Sequence, residues 1–565
     1  MPFKHLERCF QRVLNQKSQI IMLLFVSVLL LAEGRCASQK TDFYTQSIEE
    51  SLIPVRPGVP GSQPFWNKHA RCFIYAPAFE FEKLQDAKYY RVTAQPASAG
   101  PDYANKHQFD PFGDNTGFVA QGKALVFEAD SPWAPLTPIW KQLPVGVVNL
   151  RVEALKEKGG EVIGLAGSRW FYKAAVFHGP YNKPAMDYEK SARLALKKLF
   201  EEKFVQSWLR TGQPDRQGYE LYHYPAKIMG ALMVGAAAYY NLSPRPDDAE
   251  SVLEIGKKVA DYLLSISFPA PGPLEYFPPT YYGIKDKSHM DDRRSMMLYA
   301  ADAGHGYLDL YDVTKDEKYL AAATRIADTY VKNQLPDGSW FLLVENSTGK
   351  PVAENLCIPT AIINYFDRLV EQYGLARYKE ASQKAVKWIM DNPVKTFNWQ
   401  AQFEDSTPAA PYKNLAREQA CDFAIYLLAH ASQNPENIKL AEELIRFAED
   451  QFVVWERPVA STAGDENSQS DFWITPCVQE QYTYWQPVIR SAGIMIRTYQ
   501  KAYQITGADI YLAKATSIAN SITITQQAHD GKYPTYLTSK PMDFWINNVV
   551  WPATDMIRLG RMLER

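Results

Sequence analysis

The stretch "DEKYLAAATRIADTYVKNQLPDGSW" at residues 316–340 has a diverged repeat, "ADIYLAKATSIANSITITQQAHDGKYP", at residues 508–534. The aligned positions that matter carry identical residues: Tyr319 with Tyr511, Ala323 with Ala515, Ala327 with Ala519, and Gln334 with Gln526. Alanines four residues apart mark a helix face that a neighbouring helix approaches closely, and Asp-Gly marks the helix end. Repeated helix pairs of this kind predict a closed ring or a solenoid.

The helical period begins near residue 187 and continues to the end of the chain. It predicts twelve helices, at 188–210, 225–241, 247–266, 292–312, 315–334, 354–373, 375–391, 412–433, 436–454, 478–505, 508–527 and 543–564. Tight polar turns alternate with long, aromatic-rich connections, which are 211–224, 267–291, 335–353, 392–411, 455–477 and 528–542. In antiparallel helix pairs laid around a ring, every second connection lies at the same end. The six long loops should therefore share one rim, and we expect the functional site there.

Twelve helices with this alternation and a "YLxxAxxxA…DG" repeat resemble the six-hairpin toroid, the (α/α)6 barrel of many glycoside hydrolases and polysaccharide lyases. The resemblance covers about 187–565, and the unsaturated-uronyl hydrolases and the toroid lyases are its nearest kin. It implies a catalytic domain that acts on carbohydrate. It does not select the reaction, because one fold hosts many activities.

The region before the helices divides into a leader, a linker and a strand-rich domain. Residues 1–38 have a basic start and an apolar run from Ile20 to Ala32, which predicts a signal peptide, with an uncleaved anchor as the alternative. Residues 39–64 are interpreted as a linker. Short β-branched and aromatic runs over 65–180 resemble an antiparallel β-sandwich of the fibronectin III type. The mature chain is expected to be secreted or periplasmic, without a membrane span.

Composition narrows the possible partners. The formal net charge is −2, which gives no electrostatic reason to expect nucleic acid. Four cysteines follow the leader, and they are far apart with no metal-ligand spacing, so we expect free, mostly buried thiols and neither a metal nor a cofactor. The expected partner is a poly- or oligosaccharide.

The fourth long loop carries the first candidate catalytic carboxyls, Glu404 and Asp405. Glycoside hydrolysis needs one carboxyl as acid and another as base or nucleophile on opposite sides of the bond. Adjacent residues cannot occupy both sides, so one needs a partner from another loop. Glu480 is the first choice and Glu220 the second.

A lyase would use different groups on the same rim. A Tyr or His would remove the proton next to a uronate carboxylate, and Arg or Asn would neutralise that carboxylate. The candidates are His223, Tyr281, Tyr282, Arg293, Arg294, Tyr299 and Asn414. Two adjacent arginines after aspartates can equally be ion-paired, and His305, well inside its helix, is interpreted as a structural histidine.

Aromatic residues make up 13% of the chain, and those in long loops are candidate platforms for sugar rings. The candidates are Trp340, Trp399, Trp485, Tyr536 and Trp545, with Tyr282 and the amide of Asn414 as further substrate-binding groups. "QLPDGSW" at 334–340 also fits a motif of triterpene cyclases, which are helical toroids. The Asp-rich acid run of those enzymes has no match here, since "SHMDD" at 288–292 lacks its first aspartate.

The sequence thus predicts an exported enzyme that cleaves glycosidic bonds, with uronate-containing glycans among its candidate substrates. Hydrolysis is preferred because acidic loop residues outnumber convincing His, Tyr and Arg arrangements. β-Elimination is the alternative. A glycan-binding scaffold without chemistry and a sugar epimerase remain open as well.

Overall fold

The computed structural model describes residues 42–56, 69–99, 117–285, 290–405, 409–458, 470–482, 484–540 and 544–564. The predicted leader lies outside these residues. Among the helices of the described part, none is both long enough and apolar enough to cross a membrane.

A short helix and a strand-rich domain precede the ring. Helix α1 (Phe43–Ser51) lies inside the predicted linker, and its first turn is capped by Asp42, whose carboxylate accepts from Thr45 N at 3.2 Å. The strands are β1 (Cys72–Phe73), β2 (Tyr89–Ala99), β3 (Phe118–Ala120), β4 (Leu125–Ala129), β5 (Gly146–Leu155) and β6 (Val162–Lys173), with helix α2 (Thr137–Trp140) between β4 and β5.

These strands form one sheet in the order β1-β6-β5-β2-β3, with β4 also paired to β2. All pairings are antiparallel except β1 with β6, which is parallel. The described residues contain no second sheet facing this one. The sandwich therefore stays a prediction, whereas the strand-rich domain itself is present where the sequence placed it.

Twelve helices of the described chain alternate between an inner and an outer layer. The inner helices are α5 (Pro225–Tyr240), α7 (Ala300–Thr314), α9 (Thr360–Tyr373), α12 (Glu418–Ala429), α14 (Ile489–Thr506) and α16 (Ile546–Leu563). The outer helices are α3 (Tyr188–Phe200), continued by α4 (Lys203–Thr211), then α6 (Ala249–Ile266), α8 (Glu317–Asn333), α10 (Lys379–Asp391), α13 (Glu436–Phe452) and α15 (Asp509–Ala528); α11 (Pro393–Thr396) is a single turn after α10.

The inner helices close a ring because α16 packs on α5 as well as on α14, and the first outer helix, α3, packs on the last inner one, α16. Each long loop leads into an inner helix, so all six inner helices begin at the same rim. The predicted helical toroid is confirmed.

The repeated glutamine joins neighbouring outer helices. Gln334, at the end of α8, donates from Nε2 to Gly338 O at 3.1 Å and to Ala381 O of α10 at 2.9 Å. Gln526 of α15 makes the equivalent bonds to Gly531 O and to Ser191 O of α3, both at 2.9 Å. In this fold the glutamine that precedes each Asp-Gly is therefore a structural joint of the ring.

Several inner helices begin later than the sequence predicted. The start of α7 is residue 300 instead of 292, and that of α14 is 489 instead of 478. The residues in between are strands: β7 (Arg294–Met296) pairs with β8 (Leu343–Glu345), and β10 (Cys477–Gln481) pairs with β9 (Val453–Val454) and β11 (Tyr484–Pro487). Apolar residues in these short strands extend the helical pattern by chance, which moved the predicted starts into the loops.

The sheet and the ring share one apolar core. The buried carboxyl of Asp450, on α13, accepts from Ile74 N at 2.6 Å and from Tyr75 N at 2.8 Å, just after β1. Burial raises the pKa of Asp450 to about 7. The expected free cysteines are confirmed, since Cys357, Cys421 and Cys477 are buried thiols and Cys72 is partly buried.

Candidate active site

The lumen of the ring contains two connected chambers. The narrow chamber, about 70 Å³, is lined mainly by residues in the first turns of the inner helices; the wide chamber, about 770 Å³, extends along the same helices towards their C-terminal ends. The two share Asp302, Ala361, Glu418, Asp422 and Arg490, and we call this shared zone the neck. The narrow chamber thus lies directly beneath the long-loop rim, and the wide one opens towards the short turns.

A polar stripe on α7 runs through the lumen. Asp302, His305, Asp309 and Asp312 are spaced at i, i+3, i+7 and i+10, so they share one face of the helix, and all four line the wide chamber. Burial, together with Arg368, lowers the pKa of His305 to about 3, and Nδ1 lies 3.5 Å from Arg368 Nη1. Since a guanidinium only donates, Nδ1 is the unprotonated nitrogen of a neutral ring.

The neck brings together two carboxyls with opposite ionisation. The Asp302 carboxyl has no hydrogen bond or ion pair within the described part of the chain, and burial raises its pKa to about 7 despite Arg490 nearby. Burial acts on Glu418 in the same direction, but Arg490 and Arg417 outweigh it and lower the pKa of Glu418 to about 2. Arg490 Nη2 donates to Glu418 Oε1 at 2.7 Å. One carboxyl can thus carry a proton near neutral pH while the other is a carboxylate.

Glu480 is the predicted carboxyl that reaches the lumen. It follows the loop onto β10, lines the narrow chamber, and burial raises its pKa to about 7 against the charges of Arg417 and Lys227. It is therefore a second carboxyl of raised pKa beside the lumen, and its catalytic role stays a prediction.

Glu404 is held in a cluster at the rim that we call the rim cluster: Glu404, Lys227 and Tyr299. Lys227 Nζ of α5 makes an ion pair with Glu404 Oε1, and Tyr299 OH donates to Glu404 Oε2 at 2.6 Å. Although burial raises the pKa of Glu404, Lys227 and these hydrogen bonds bring it below its usual value. Burial and Glu404 raise the pKa of Tyr299 well above its usual value. Glu404 is thus a carboxylate fixed by its ion pair and hydrogen bond.

The wide chamber is lined by acid–arginine pairs. Arg368 Nη2 contacts Asp309 at 2.6 Å and Asp312 at 3.0 Å, and Arg497 Nη2 donates to Asp422 at 2.8 Å. Towards the short-turn end, Arg558 Nη1 contacts Asp555 at 3.0 Å. These pairs place hydrogen-bonding groups on the wall and largely balance its charges.

The other predicted catalytic residues lie outside both chambers. Asp405 is exposed on the rim, and Arg293, as the ion-pair interpretation expected, donates from Nε to Asp291 at 2.8 Å. His223 Nδ1 donates to Tyr282 O at 2.6 Å. Tyr281 is fully buried and donates to Glu404 O at 2.7 Å; burial and Glu404 raise its pKa. None of these four residues lines the lumen.

Three of the aromatic candidates are packed in the protein interior, and one lines the narrow chamber. Trp340 and Trp399 are fully buried and Trp485 is 4% exposed, so they have no free ring face for a sugar, which corrects their assignment as platforms. Trp340 Nε1 instead donates to Tyr330 O at 2.9 Å. Trp545 does line the narrow chamber.

The remaining predicted substrate contacts are engaged elsewhere. Asn414 Nδ2 donates to Gln481 Oε1 at 2.8 Å, and Tyr536 is bonded through its hydroxyl to Tyr484. Tyr282 is 37% exposed, with the Arg216 guanidinium 4.6 Å from its ring centre. These three residues do not line either chamber.

Asp302, Glu418 and Arg490 were not predicted, because catalytic residues were expected in the long loops. All three lie one to three residues inside an inner helix, just after a long loop. The signal was present as a polar stripe on a helix otherwise built from Ala, Gly and Leu, in "ADAGHGYLDLYD" at 301–312. Polar residues on one face of a ring helix can face only the lumen or a neighbouring helix.

One group of side chains could hold a metal ion. Among the described residues, Asp367, Glu371 and His430 present oxygen and nitrogen atoms close to one another, with His430 Nε2 3.9 Å from each carboxylate. His430 Nδ1 donates to Tyr426 O at 2.9 Å. None of the three residues lines the lumen, so the group is separate from the candidate active site.

No family model matches this chain, and no curated protein matches its sequence. Among solved structures, the chain is similar to the cellobiose 2-epimerase of Spirochaeta thermophila, with 12% identity and a TM-score of 0.45 over 67% of this chain and 98% of that one. It is also similar to a family 76 glycoside hydrolase from a bovine Bacteroides thetaiotaomicron strain, with 10% identity and a TM-score of 0.47 over 86% and 98%. A third is an unsaturated glucuronyl hydrolase specific for heparin, with 11% identity and a TM-score of 0.42 over 67% and 96%. The resemblance to six-hairpin toroids is one of fold, and the closed ring of helix pairs in this chain has that architecture.

Proposed function

We propose that this protein is a carbohydrate-active enzyme that hydrolyses glycosidic bonds at the neck of its lumen. The observation that carries the proposal is the pair of neck carboxyls with separated pKa values, about 7 for Asp302 and about 2 for Glu418. Glycoside hydrolysis needs one protonated and one ionised carboxyl beside the same bond. Both residues line the wide chamber, which has the volume of a small-molecule site.

In this mechanism Asp302 is the general acid. Its proton passes to the glycosidic oxygen as the bond to the anomeric carbon breaks, so the leaving sugar departs as an alcohol. Glu418, ionised and held by Arg490, attacks the anomeric carbon as the leaving sugar departs, which gives a glycosyl ester. Water then attacks that carbon, Asp302, now ionised, takes the proton of the water, and the sugar is released from Glu418. Glu418 is also the first residue of α12, where the positive end of the helix dipole favours its anionic form.

β-Elimination has weaker support. Its base would be a Tyr or His, but the pKa of both Tyr281 and Tyr299 is raised by burial and by Glu404, so a tyrosinate is disfavoured at both positions. The neutral His305 has its pKa lowered to about 3, mainly by burial, which makes it a poor base. The predicted leader at 1–38 supports the further proposal that the enzyme acts outside the cytoplasm.

The test is a polysaccharide and oligosaccharide panel with the purified protein, following reducing ends, ultraviolet absorbance and solvent deuterium in the products. We expect reducing ends to rise without absorbance of a C4–C5 double bond. Asp302→Asn should lower this activity at least about a hundred-fold. Asp261, an exposed aspartate of α6 paired with Lys318, is the control, and Asp261→Asn should retain the activity. Rising absorbance would establish a lyase, and deuterium uptake without cleavage would establish an epimerase; either result rejects the proposal.

A further inference from the structure

Two neighbouring asparagines of the narrow chamber each have one side-chain amide atom without a hydrogen-bond partner in the described part of the chain. Asn547 and Asn548 are the second and third residues of α16, they line the chamber, and they are 2% and 1% exposed. Asn547 Nδ2 donates to Asn548 Oδ1 at 3.1 Å. The other two amide atoms, the acceptor Asn547 Oδ1 and the donor Asn548 Nδ2, have no partner in the described part of the chain.

Two more lining residues carry unpaired polar atoms. One is Gln419 Oε1, on a residue that is 6% exposed. The other is Nη1 of Arg490; the second terminal nitrogen of that guanidinium, Nη2, donates to Glu418. A buried polar atom without a partner costs about 1–3 kcal/mol, so such atoms are rare unless a ligand or water completes them. Four of them around one chamber, donors and acceptors together, match the hydroxyl groups of a sugar, each of which can both donate and accept.

The charged residues that line the narrow chamber disfavour the binding of an acidic sugar. Among the described residues that line it, the cations are Lys227 and Arg490. Lys227 is ion-paired with Glu404, and Arg490 with Glu418. Each lining cation is thus already neutralised by a carboxylate, so a substrate carboxylate would add an uncompensated negative charge beside Asp302 and Glu480, even if it accepted from Arg490 Nη1.

The size of the chamber limits the occupant. A buried water needs roughly 10–15 Å³ by the same measure, so 70 Å³ corresponds to about five to seven water positions. The chamber therefore admits one small polar unit, and a longer substrate has to extend beyond it. The wide chamber, which meets the narrow one at the neck carboxyls, has about ten times the volume.

We propose that the narrow chamber is a subsite for one neutral sugar unit, whose hydroxyls pair with Asn547, Asn548 and Gln419 while the rest of the substrate occupies the wide chamber. The scissile bond then lies at the neck, and the enzyme removes single neutral sugars from a chain end. The assignment of the bond rests on the proposed function; the binding of a neutral sugar does not.

Binding is tested first, on the full-length protein and without catalysis. The probes are the methyl glycosides of glucose, galactose, mannose, xylose, rhamnose and glucuronic acid, and the readout is the ligand-induced shift in Tm. We expect a shift with at least one neutral glycoside and none with the glucuronide. A shift with the glucuronide alone, or with none of the six, overturns the subsite.

Asn548→Leu distinguishes a ligand group from a structural one. Leucine removes the unpaired donor Nδ2 at similar volume, but it also removes the Oδ1 that accepts from Asn547, so these two effects should offset and the Tm of the free protein should change little. The affinity for the neutral glycoside should fall about ten-fold, as for the loss of one or two hydrogen bonds. Ser521→Ala is the matched control: its hydroxyl is also buried and unpaired in the described structure, but it lies on outer helix α15. Unchanged affinity in Asn548→Leu, or an equal loss in Ser521→Ala, would contradict the proposal.

Cleavage separates the two proposals. With neutral oligosaccharides labelled at the reducing end, single sugars should be released and the labelled chain should shorten one unit at a time. Binding without any cleavage would reject the hydrolase and leave the subsite in place. Internal cleavage would keep the hydrolase and reject the terminal subsite.

Discussion

Glu404 in the rim cluster and Asp302 at the neck are two carboxyls beneath the same rim, and they have opposite environments. Glu404 is paired with Lys227 and accepts from Tyr299, so its pKa lies below the usual value. Asp302 has no such partner in the described structure, and burial raises its pKa to about 7. The difference shows that a loop carboxylate in full hydrogen-bond contact is fixed, while an unpaired carboxyl in a cavity can exchange a proton.

The largest expected effect comes from Asp302→Asn. Removing the proton donor should lower kcat by about 10²- to 10⁴-fold, with little change in Tm, because the Asp302 carboxyl makes no ion pair in the described structure. Steady-state kinetics and thermal unfolding together check this. A kcat within a factor of three of the original would remove Asp302 from the mechanism.

Breaking the rim cluster should act on stability instead. Lys227→Met leaves the Glu404 carboxylate buried without its cation, which costs about 3–5 kcal/mol in the free energy of unfolding. Lys227→Met combined with Glu404→Gln should recover most of that loss, since neither charge remains. Urea unfolding of the three variants measures the coupling; additive losses would show that the pair does not act as a unit.

Asp450 is a control carboxyl: burial raises its pKa as it does that of Asp302, but Asp450 lies outside the candidate active site. Its pKa is also raised to about 7 by burial, but it joins the sheet to the ring and lies outside both chambers of the lumen. Between its unfolded pKa of 3.8 and about 7 the folded state binds more protons, so stability falls as pH rises, by up to about 1.4 kcal/mol per pH unit. Asp450→Asn should flatten this dependence over pH 4–7 in urea unfolding and leave kcat unchanged. A slope identical to that of the original chain would contradict the assignment.

The smallest expected effect is on the pH dependence of kcat/KM, which reports the ionisation of Asp302. An acid catalyst must be protonated, so kcat/KM should fall about ten-fold per pH unit above about 7, as Asp302 ionises. No acidic limb is expected until far below pH 4, because the pKa of Glu418 is about 2. A profile that is flat from pH 6 to 9 would exclude Asp302 as the acid.

The sequence predicted the ring well and the site in part. The repeat at 316–340 and 508–534, the alternation of short and long connections and the strand-rich start all correspond to features of the described structure. Glu480 was predicted and lines the narrow chamber, whereas Glu404, next to the same rim, is in the rim cluster. Loop position alone could not separate the two, because their ionisation depends on partners from helices far away in the chain.

The sequence by itself determined the periodicity, the C-terminal ends of the helices and the order of loops, because these depend on neighbours within a few residues. Only the tertiary structure decided which polar side chains meet in the lumen. Asp302, Glu418, Arg490 and the Asn547–Asn548 pair come from four inner helices, and each is an ordinary first-turn residue when its helix is considered alone. Ring closure brings these first turns together, and the resulting burial and pairing set the charge of each group.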